Sequence, residues 1–583
     1  MNILGLLFLA FIYFALAYRF YARYLARQFG ESPERKTPAV EKNDGVDYVP
    51  TRLPILFAHH YATIAGAGPI IGPALGILYG VGPAWLWIVV GGIFFGAVHD
   101  FGALFASIRE KGNSIAEIAR KALGNAGFLM FISFTAIMLL LVTSAFLSLT
   151  AISLTSIWPI EKLGLESGQT LLRTKIVDGQ EMGVIGGIAS TSVVIITLIS
   201  PILGYLIFKK SIKTGLAFLL AAFVCFISIF VGFRIPVSLS GLIWMIILSI
   251  YVWIASGLPV WMILQPRDFI NVQILYAGLA AIMAAVVIGG LSGVATQMPT
   301  FNLAEGNLHL GPVWPMLFIT IACGAISGFH ALVAGGTSSK QLAKEPQART
   351  VGYGGMLLES VLAILVILAI ASSLKHSDYM LIAWPAEGSG NPVLAFAISV
   401  GYLVHNSFGI PTALGAIIGI LMVEGFVVTT LDSAVRLNRY IFEEFWRMIF
   451  KKVPAIFNKY WFNSGLAVIL MFALAVSNGY RLIWPVFGAS NQLLAALTLI
   501  AITVWLNLAG KKSWFTFIPA ILMLATTIAS LIYYLFFKYI PAGNIILSVT
   551  DIILLILSGG VVIQSLRKTI FLPRMKKTPV TPS

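Results

Sequence analysis

Apolar runs of about 20 residues, the length needed to cross a bilayer, recur along almost the whole chain and are separated by short polar segments. They fall at roughly 2–20, 53–80, 83–108, 126–157, 184–208, 214–233, 239–265, 270–295, 312–339, 351–373, 411–435, 461–479, 484–508, 514–536 and 545–566. The pattern predicts an all-α, polytopic membrane protein of about fifteen transmembrane helices. A shorter apolar run at 392–404 reads as a helix lying outside between spans. The first run, from Ile3 to Ala17, has no lysine or arginine before it and no small-residue cleavage site after it. It is expected to be a retained helix, not a signal peptide. The longest polar stretches, 19–52 and 160–182, are too short to form a soluble domain.

Composition agrees with this class. The 583 residues are 58% hydrophobic and 10% charged, where soluble domains carry about 25% charged residues. Such an excess of apolar side chains must face lipid. The two cysteines, Cys225 and Cys323, both lie in apolar runs and imply neither a disulfide framework nor a four-thiolate metal site. The net charge of +15 sits in short loops between apolar runs, so it reports topology and points to no nucleic-acid partner. With the N-terminus outside and alternating spans, 31 of the 38 lysines and arginines fall on the inner side and seven outside. That asymmetry predicts an N-out, C-in arrangement.

Two spans carry helix breakers. The first reads FAHHYATIAGAGPIIGP from Phe57 to Pro73, with Gly66, Ala67, Gly68 and Pro69 near its middle. The second reads IASGLPVW from Ile254 to Trp261, with Gly257 and Pro259. Glycine lowers the cost of leaving helical geometry and proline has no N–H to donate. A broken helix in lipid is tolerated where it lines a cavity or is buried in protein. The two breaks lie five spans apart in spans of opposite direction, the spacing of a five-plus-five inverted repeat. This divides the chain into an N-terminal helix and loop (1–52), two repeats (53–235 and 236–445) and additional C-terminal helices (446–583).

Charged groups inside a membrane are costly and are usually kept for function. The candidates are His59, His60, His99, Asp100, His330, Glu359, Glu424 and Asp432. Three spans offer such groups at similar depth, which suits a proton relay, because histidine titrates near neutral pH. Imidazole and carboxylate also suit zinc or nickel. His59 and His60 point about 100° apart on a helix and cannot face one partner equally. Asp432 lies one turn from Arg436, which predicts a local ion pair. Ser327, Thr337 and Ser338 add hydroxyls along the span of His330; a hydroxyl bonded back to its own helix is the plain alternative for each.

Six strings carry a family resemblance: FAHHYATIAGAGPIIGP, GAVHDF (96–101), WPMLFITIACGAISGFHALVAGGTSSKQ (314–341), VGYGGMLLES (351–360), TTLDSAVRLNRY (429–440) and WPVFGASNQLLAAL (484–497). They resemble the carbon starvation protein A family over roughly residues 50 to 500, in the form of a shorter member. The resemblance implies an inner-membrane carrier for peptides or pyruvate, driven by proton symport. It also implies membership of the amino acid–polyamine–organocation superfamily, with its LeuT-like fold. In that fold a sodium site commonly lies between the first broken helix and the eighth core helix, here the span of Ser327, His330, Thr337 and Ser338.

The expected protein is therefore a secondary transporter with alternating access, not an enzyme. Its solute site is expected near the midplane, beside Gly66, Ala67, Gly68, Pro69, Gly257, Pro259 and Ser327. Coupling is expected through His59, His60, His99, Asp100, His330, Thr337, Ser338 and Glu359. No resident cofactor or metal is expected beyond a coupling proton, sodium or transition-metal ion. The partners are a small-molecule substrate and the lipid bilayer, with room for a small accessory subunit. The alternative is a transition-metal carrier built on His59, His60, His99 and His330. A membrane-embedded metalloenzyme fits less well, because the chain has no HExxH motif.

Overall fold

The computed structural model describes residues 2–571 apart from Thr170 and 386–389, and leaves out the side chains of 122–123, 478–482, 565–566 and 568–571. Among the described residues, twelve helices are long and apolar enough to cross a membrane, thirteen with the bent pair Leu53–Ala65 and Gly68–Tyr79. Two of the expected fifteen spans fall short. Gly241–Gly257 is a helix of 17 residues, and the run at 312–339 forms two eight-residue helices, Val313–Thr320 and Phe329–Gly336.

Burial separates a centre from a lipid-facing rim. Helices Arg349–Ser373 and Thr412–Ile449 are buried over 83% and 89% of their apolar windows, against 28% for Thr214–Arg234. The last of these turns Leu219, Phe223, Phe226 and Phe230 outward, as a lipid-facing helix must. The run at 392–404 forms the helix Pro392–Phe408, too short to count as a span, largely buried and packed on the long helix Thr412–Ile449.

The second broken span differs from the sequence reading. Gly257 and Pro259 do not interrupt a span. They lie in the turn between helices Gly241–Gly257 and Leu264–Leu291. The break comes at residues 321–328, between Val313–Thr320 and Phe329–Gly336. Apolar continuity hid it, because ITIACGAISGF holds no proline. The two broken spans run antiparallel in contact: His60 meets Ser338, Gly68 lies against Cys323, Gly72 against Thr320, and Gly76 against Leu317 and Ile321. Their breaks therefore sit side by side.

Polar loops gather at two ends. At one, Arg52 donates to the Ile212 carbonyl, Arg109 pairs with Glu345, Asp47 with Arg436, and Lys511 reaches the Phe29 carbonyl. These segments are among those that the charge count places together. At the other end His376 meets Glu305 and Val81 bonds the Pro299 carbonyl. A three-stranded antiparallel sheet, with Gln180–Val184 between Ile157–Pro159 and Thr174–Val177, occupies the polar stretch before the helix Gly186–Gly204.

The close crossing gives a stability prediction. A Cβ at Gly72 would lie 2.7 Å from the Thr320 carbonyl oxygen and 3.3 Å from the Ile321 Cα, both backbone atoms that cannot swing aside. Alanine normally stabilises a helix relative to glycine, but here overpacking decides the sign. Gly72→Ala is expected to cost about 1–3 kcal/mol, seen as a lower thermal midpoint in detergent. Gly5→Ala, inside the helix Ile3–Leu16 with nothing within 4 Å, serves as the control and should be neutral or slightly stabilising.

Candidate functional site

Each break is held open by polar groups from neighbouring helices. Helix Leu53–Ala65 ends at Gly66, whose φ of +46° is a conformation that side-chain-bearing residues rarely adopt. Pro69 then occupies the first turn of Gly68–Gly76, where its missing N–H costs nothing. The Thr430 hydroxyl donates to the Thr63 carbonyl at 2.9 Å, satisfying one acceptor freed by the break.

Asn491 braces the second break. Its Oδ1 accepts from the Phe329 N–H at 2.8 Å, its carbonyl accepts from the Gly328 N–H at 3.0 Å, and its amide nitrogen donates to Ser327 Oγ at 3.0 Å. Ser360 donates to the Gly324 carbonyl at 3.0 Å, and the Trp87 indole donates to that of Ile321 at 3.0 Å. Non-helical backbone survives at this depth because three helices supply its hydrogen bonds.

His330 stands two residues beyond this break. Its Nδ1 is 2.7 Å from Asp100 Oδ2, and Asp100 Oδ1 is 2.8 Å from His99 Nδ1. On the other side of the ring, Nε2 lies 3.2 Å from Glu359 Oε2, outside hydrogen-bond alignment. All four side chains are fully buried. One imidazole thus lies between two carboxylates, and two unneutralised buried anions would be very costly. The arrangement needs added protons, and the ring can hand one between the carboxylates. His60 approaches through Ser338, 2.7 Å from its Nδ1, and its Nε2 has no hydrogen-bond partner.

The residues singled out from sequence therefore sort as follows. Gly66, Ala67, Gly68, Pro69 and Ser327 come together at the paired breaks. His99, Asp100, His330 and Glu359 form one chain, and His60 and Ser338 lie beside it. Thr337 bonds there through its backbone, its N–H to Val333 and its carbonyl to Lys340. His59 faces away, its Nδ1 2.6 Å from Asp268. Gly257 and Pro259 are remote from the breaks: a Cβ at Gly257 would meet Tyr460, and Arg436 donates to the adjacent Leu258 carbonyl. Asp432 does not pair with Arg436. It binds Arg267 at 2.6 Å, while Arg436 pairs with Asp47 at 3.1 Å. Sequence reasoning missed Asn491, Asp268 and Arg267. The first stood in a quoted motif, SNQ, as a polar triplet inside an apolar run. The other two were assigned to a loop because the span before them was drawn too long.

Cavities approach the breaks from both ends. One of about 550 Å³ is lined by Leu75, Ile319, Thr320, Trp384, Trp484 and Gly488. Another of about 390 Å³ opens among the basic-end loops and reaches Leu332 and Gly336, with Lys340, Tyr440 and Glu444 on its wall. The His330 chain is enclosed between them.

At the basic end a latch joins four segments. Asp47 Oδ1 meets Arg436 and accepts from the Tyr440 hydroxyl at 2.7 Å, Arg436 also reaches the Ala255 carbonyl, and the Val49 N–H bonds the Lys340 carbonyl. Partial burial pushes the Asp47 carboxyl up, but the charges of Arg436 and Lys340 and the Tyr440 hydroxyl outweigh it and hold it below the usual range. A lowered carboxyl stabilises the latch above its unfolded value and loses that contribution only as pH falls through the lowered one. The latch is thus expected to hold at mildly acidic pH. Asp47→Ala should weaken it by on the order of 1 kcal/mol, seen as faster labelling of a cysteine introduced beside Gly336; with Asp47 in place, that cysteine should be labelled equally at neutral and mildly acidic pH.

Paired broken helices, an enclosed titratable chain and cavities at both ends define a multi-pass membrane transporter. The family model for carbon starvation protein CstA matches residues 2–392 and 386–530, and the chain belongs to that family. It is 32% identical to the peptide transporter CstA of Campylobacter jejuni, over 88% of this chain and 78% of that protein. It is 29% identical to the pyruvate/proton symporter BtsT of Escherichia coli K12, over 88% and 79%. Among solved structures it is similar to the manganese transporter of Eremococcus coleocola (10% identity, TM-score 0.48, 91% and 99% covered) and to MhsT in complex with L-phenylalanine (13%, 0.48, 87% and 98%).

Proposed function

We propose that this protein imports small carboxylate-bearing organic nutrients across the cytoplasmic membrane, coupled to protons, by alternating access. The observation that carries the reading is the Asp100–His330–Glu359 chain, seated at the paired breaks between two cavities. A proton bound there changes the charge of the site, so the broken spans respond to loading. The carboxylate is what a peptide and pyruvate share, and these are the solutes in the names of the two relatives. The N-terminus of Gly68–Gly76 offers it a favourable dipole. We place the basic end in the cytoplasm, with the N-terminus outside and the C-terminus inside. The chain is assigned a LeuT-like inverted repeat, with the first broken span at the start of one half and the second inside the other. The first half runs over 53–235, and the second over 236–445, which holds the broken span 313–336.

The transition-metal alternative loses ground on geometry. His59 is turned from the other three histidines, and among the described residues no three His, Cys, Asp or Glu side chains are placed to hold a metal ion. A pH-sensitive dye inside proteoliposomes tests the coupling. Adding pyruvate or dialanine outside, with no imposed gradient, should acidify the lumen. A lumen that stays at constant pH while labelled solute enters would contradict proton symport.

A further inference from the structure

A second buried charge cluster lies on a different face of the first broken span from His60. His59 Nδ1 is 2.6 Å from Asp268 Oδ2, and Asp268 Oδ1 is 3.3 Å from Arg267. Arg267 in turn contacts Asp432 Oδ2 and the Tyr251 hydroxyl, each at 2.6 Å, and that hydroxyl donates to Asp432 at 2.8 Å. Four elements supply these groups: Leu53–Ala65, Gly241–Gly257, Leu264–Leu291 and Thr412–Ile449. His59, Asp268, Arg267 and Asp432 are buried, and Tyr251 is half-buried. Glu424, on the last of these helices, is buried as well, and one of its oxygens has no partner. Of the other helices packed on this span, Arg349–Ser373 presents Glu359 and Phe329–Gly336 presents His330, both engaged in the chain already described.

Charge balance shows what the cluster lacks. Asp268 and Asp432 carry two negative charges against the single fixed charge of Arg267. One buried carboxylate is left uncompensated, and Glu424 can only add to the deficit. Burying an unpaired charge is costly enough that the group takes a proton instead. The imidazole in contact with Asp268 is placed to hold it, and His59 Nε2 has no hydrogen-bond partner of its own.

We propose that His59, Asp268, Arg267 and Asp432 form a second proton-binding site, separate from the His330 chain, with the proton shared between His59 Nδ1 and Asp268 Oδ2. Adjacent residues on one half-helix thus address two proton sites, one on each face. A proton lost from either leaves an uncompensated anion against the same half-helix. This role in transport rests on the coupling proposed above, whereas proton binding stands on the cluster's own geometry.

pH-difference infrared spectroscopy of the full-length protein in lipid reads both sites, with an imidazolium ring band for His59 and a carboxylic C=O band for Glu359. His59→Gln and the isosteric Asp268→Asn should each lose or shift the imidazolium signal and keep the Glu359 band. Glu359→Gln should do the reverse. Two variants are used so that a folded sample of either one gives the answer. Spectra of His59→Gln and Asp268→Asn that superimpose on the unchanged chain would overturn the second site. Superposition for Glu359→Gln alone would overturn the His330 relay and leave the second site standing.

Discussion

Proton-driven accumulation of solute is expected to fall by about two to three and a half orders of magnitude in the Asp100→Asn variant, while solute exchange without a gradient persists. The amide oxygen can still accept from His330 Nδ1, so the local hydrogen bond survives. What disappears is the negative charge that favours an imidazolium at the centre of the chain. Breaking a buried ion pair from one side costs about 3–5 kcal/mol, which at about 1.4 kcal/mol per factor of ten gives the stated range. Exchange needs the broken spans to move but no net proton transfer, so it separates coupling from folding. Accumulation by Asp100→Asn at the level of the unchanged chain would remove Asp100 from the relay.

The second large effect is expected at Asn491. Asn491→Ala removes the acceptor of the Phe329 N–H and the partner of Ser327 in a fully buried site. Each buried group left without a partner costs about 1–3 kcal/mol. His330 is the residue after Phe329, so the loss also releases the start of the helix that aims its ring at Asp100 and Glu359. Uptake with and without a proton gradient should both fall at least about tenfold, in step with a loss of about 1–3 kcal/mol or more in stability. This differs from Asp100→Asn, in which only the gradient-driven component is lost. Loss of coupling with unchanged exchange in Asn491→Ala would show that the brace acts on the proton and not on the backbone.

Hydrophobic run length carried most of the fold, because lipid demands continuous apolar helices and leaves few other solutions. Run length fails where an apolar stretch contains a bend. The first break was legible, since Gly66, Gly68 and Pro69 mark it chemically. The second was not, since the bend at 321–328 is imposed by Asn491, Ser360 and Trp87 reaching in from other helices. Gly257 and Pro259 misled for the opposite reason. The same residue types that break a span also end one, and only packing tells the two apart. The His330 chain was half legible: buried charge in apolar runs named its members, and depth grouped His99, Asp100 and Glu359. Which carboxylate each histidine meets depends on helix rotation, which a sequence without a partner helix does not specify. That is why His59 was grouped with His60, and why Asp432 was matched with its chain neighbour Arg436 when its partner is Arg267.

The paired breaks are proposed to carry a carboxylate together with a proton. The most direct test is accumulation of labelled pyruvate and of a labelled dipeptide in proteoliposomes, under an imposed inward proton gradient and then an imposed sodium gradient. At least one of the two solutes should rise above its external concentration under the proton gradient, a protonophore should abolish this, and Asp100→Asn should not show it. Accumulation driven by sodium alone, or no accumulation of either solute by folded protein, would contradict that proposal.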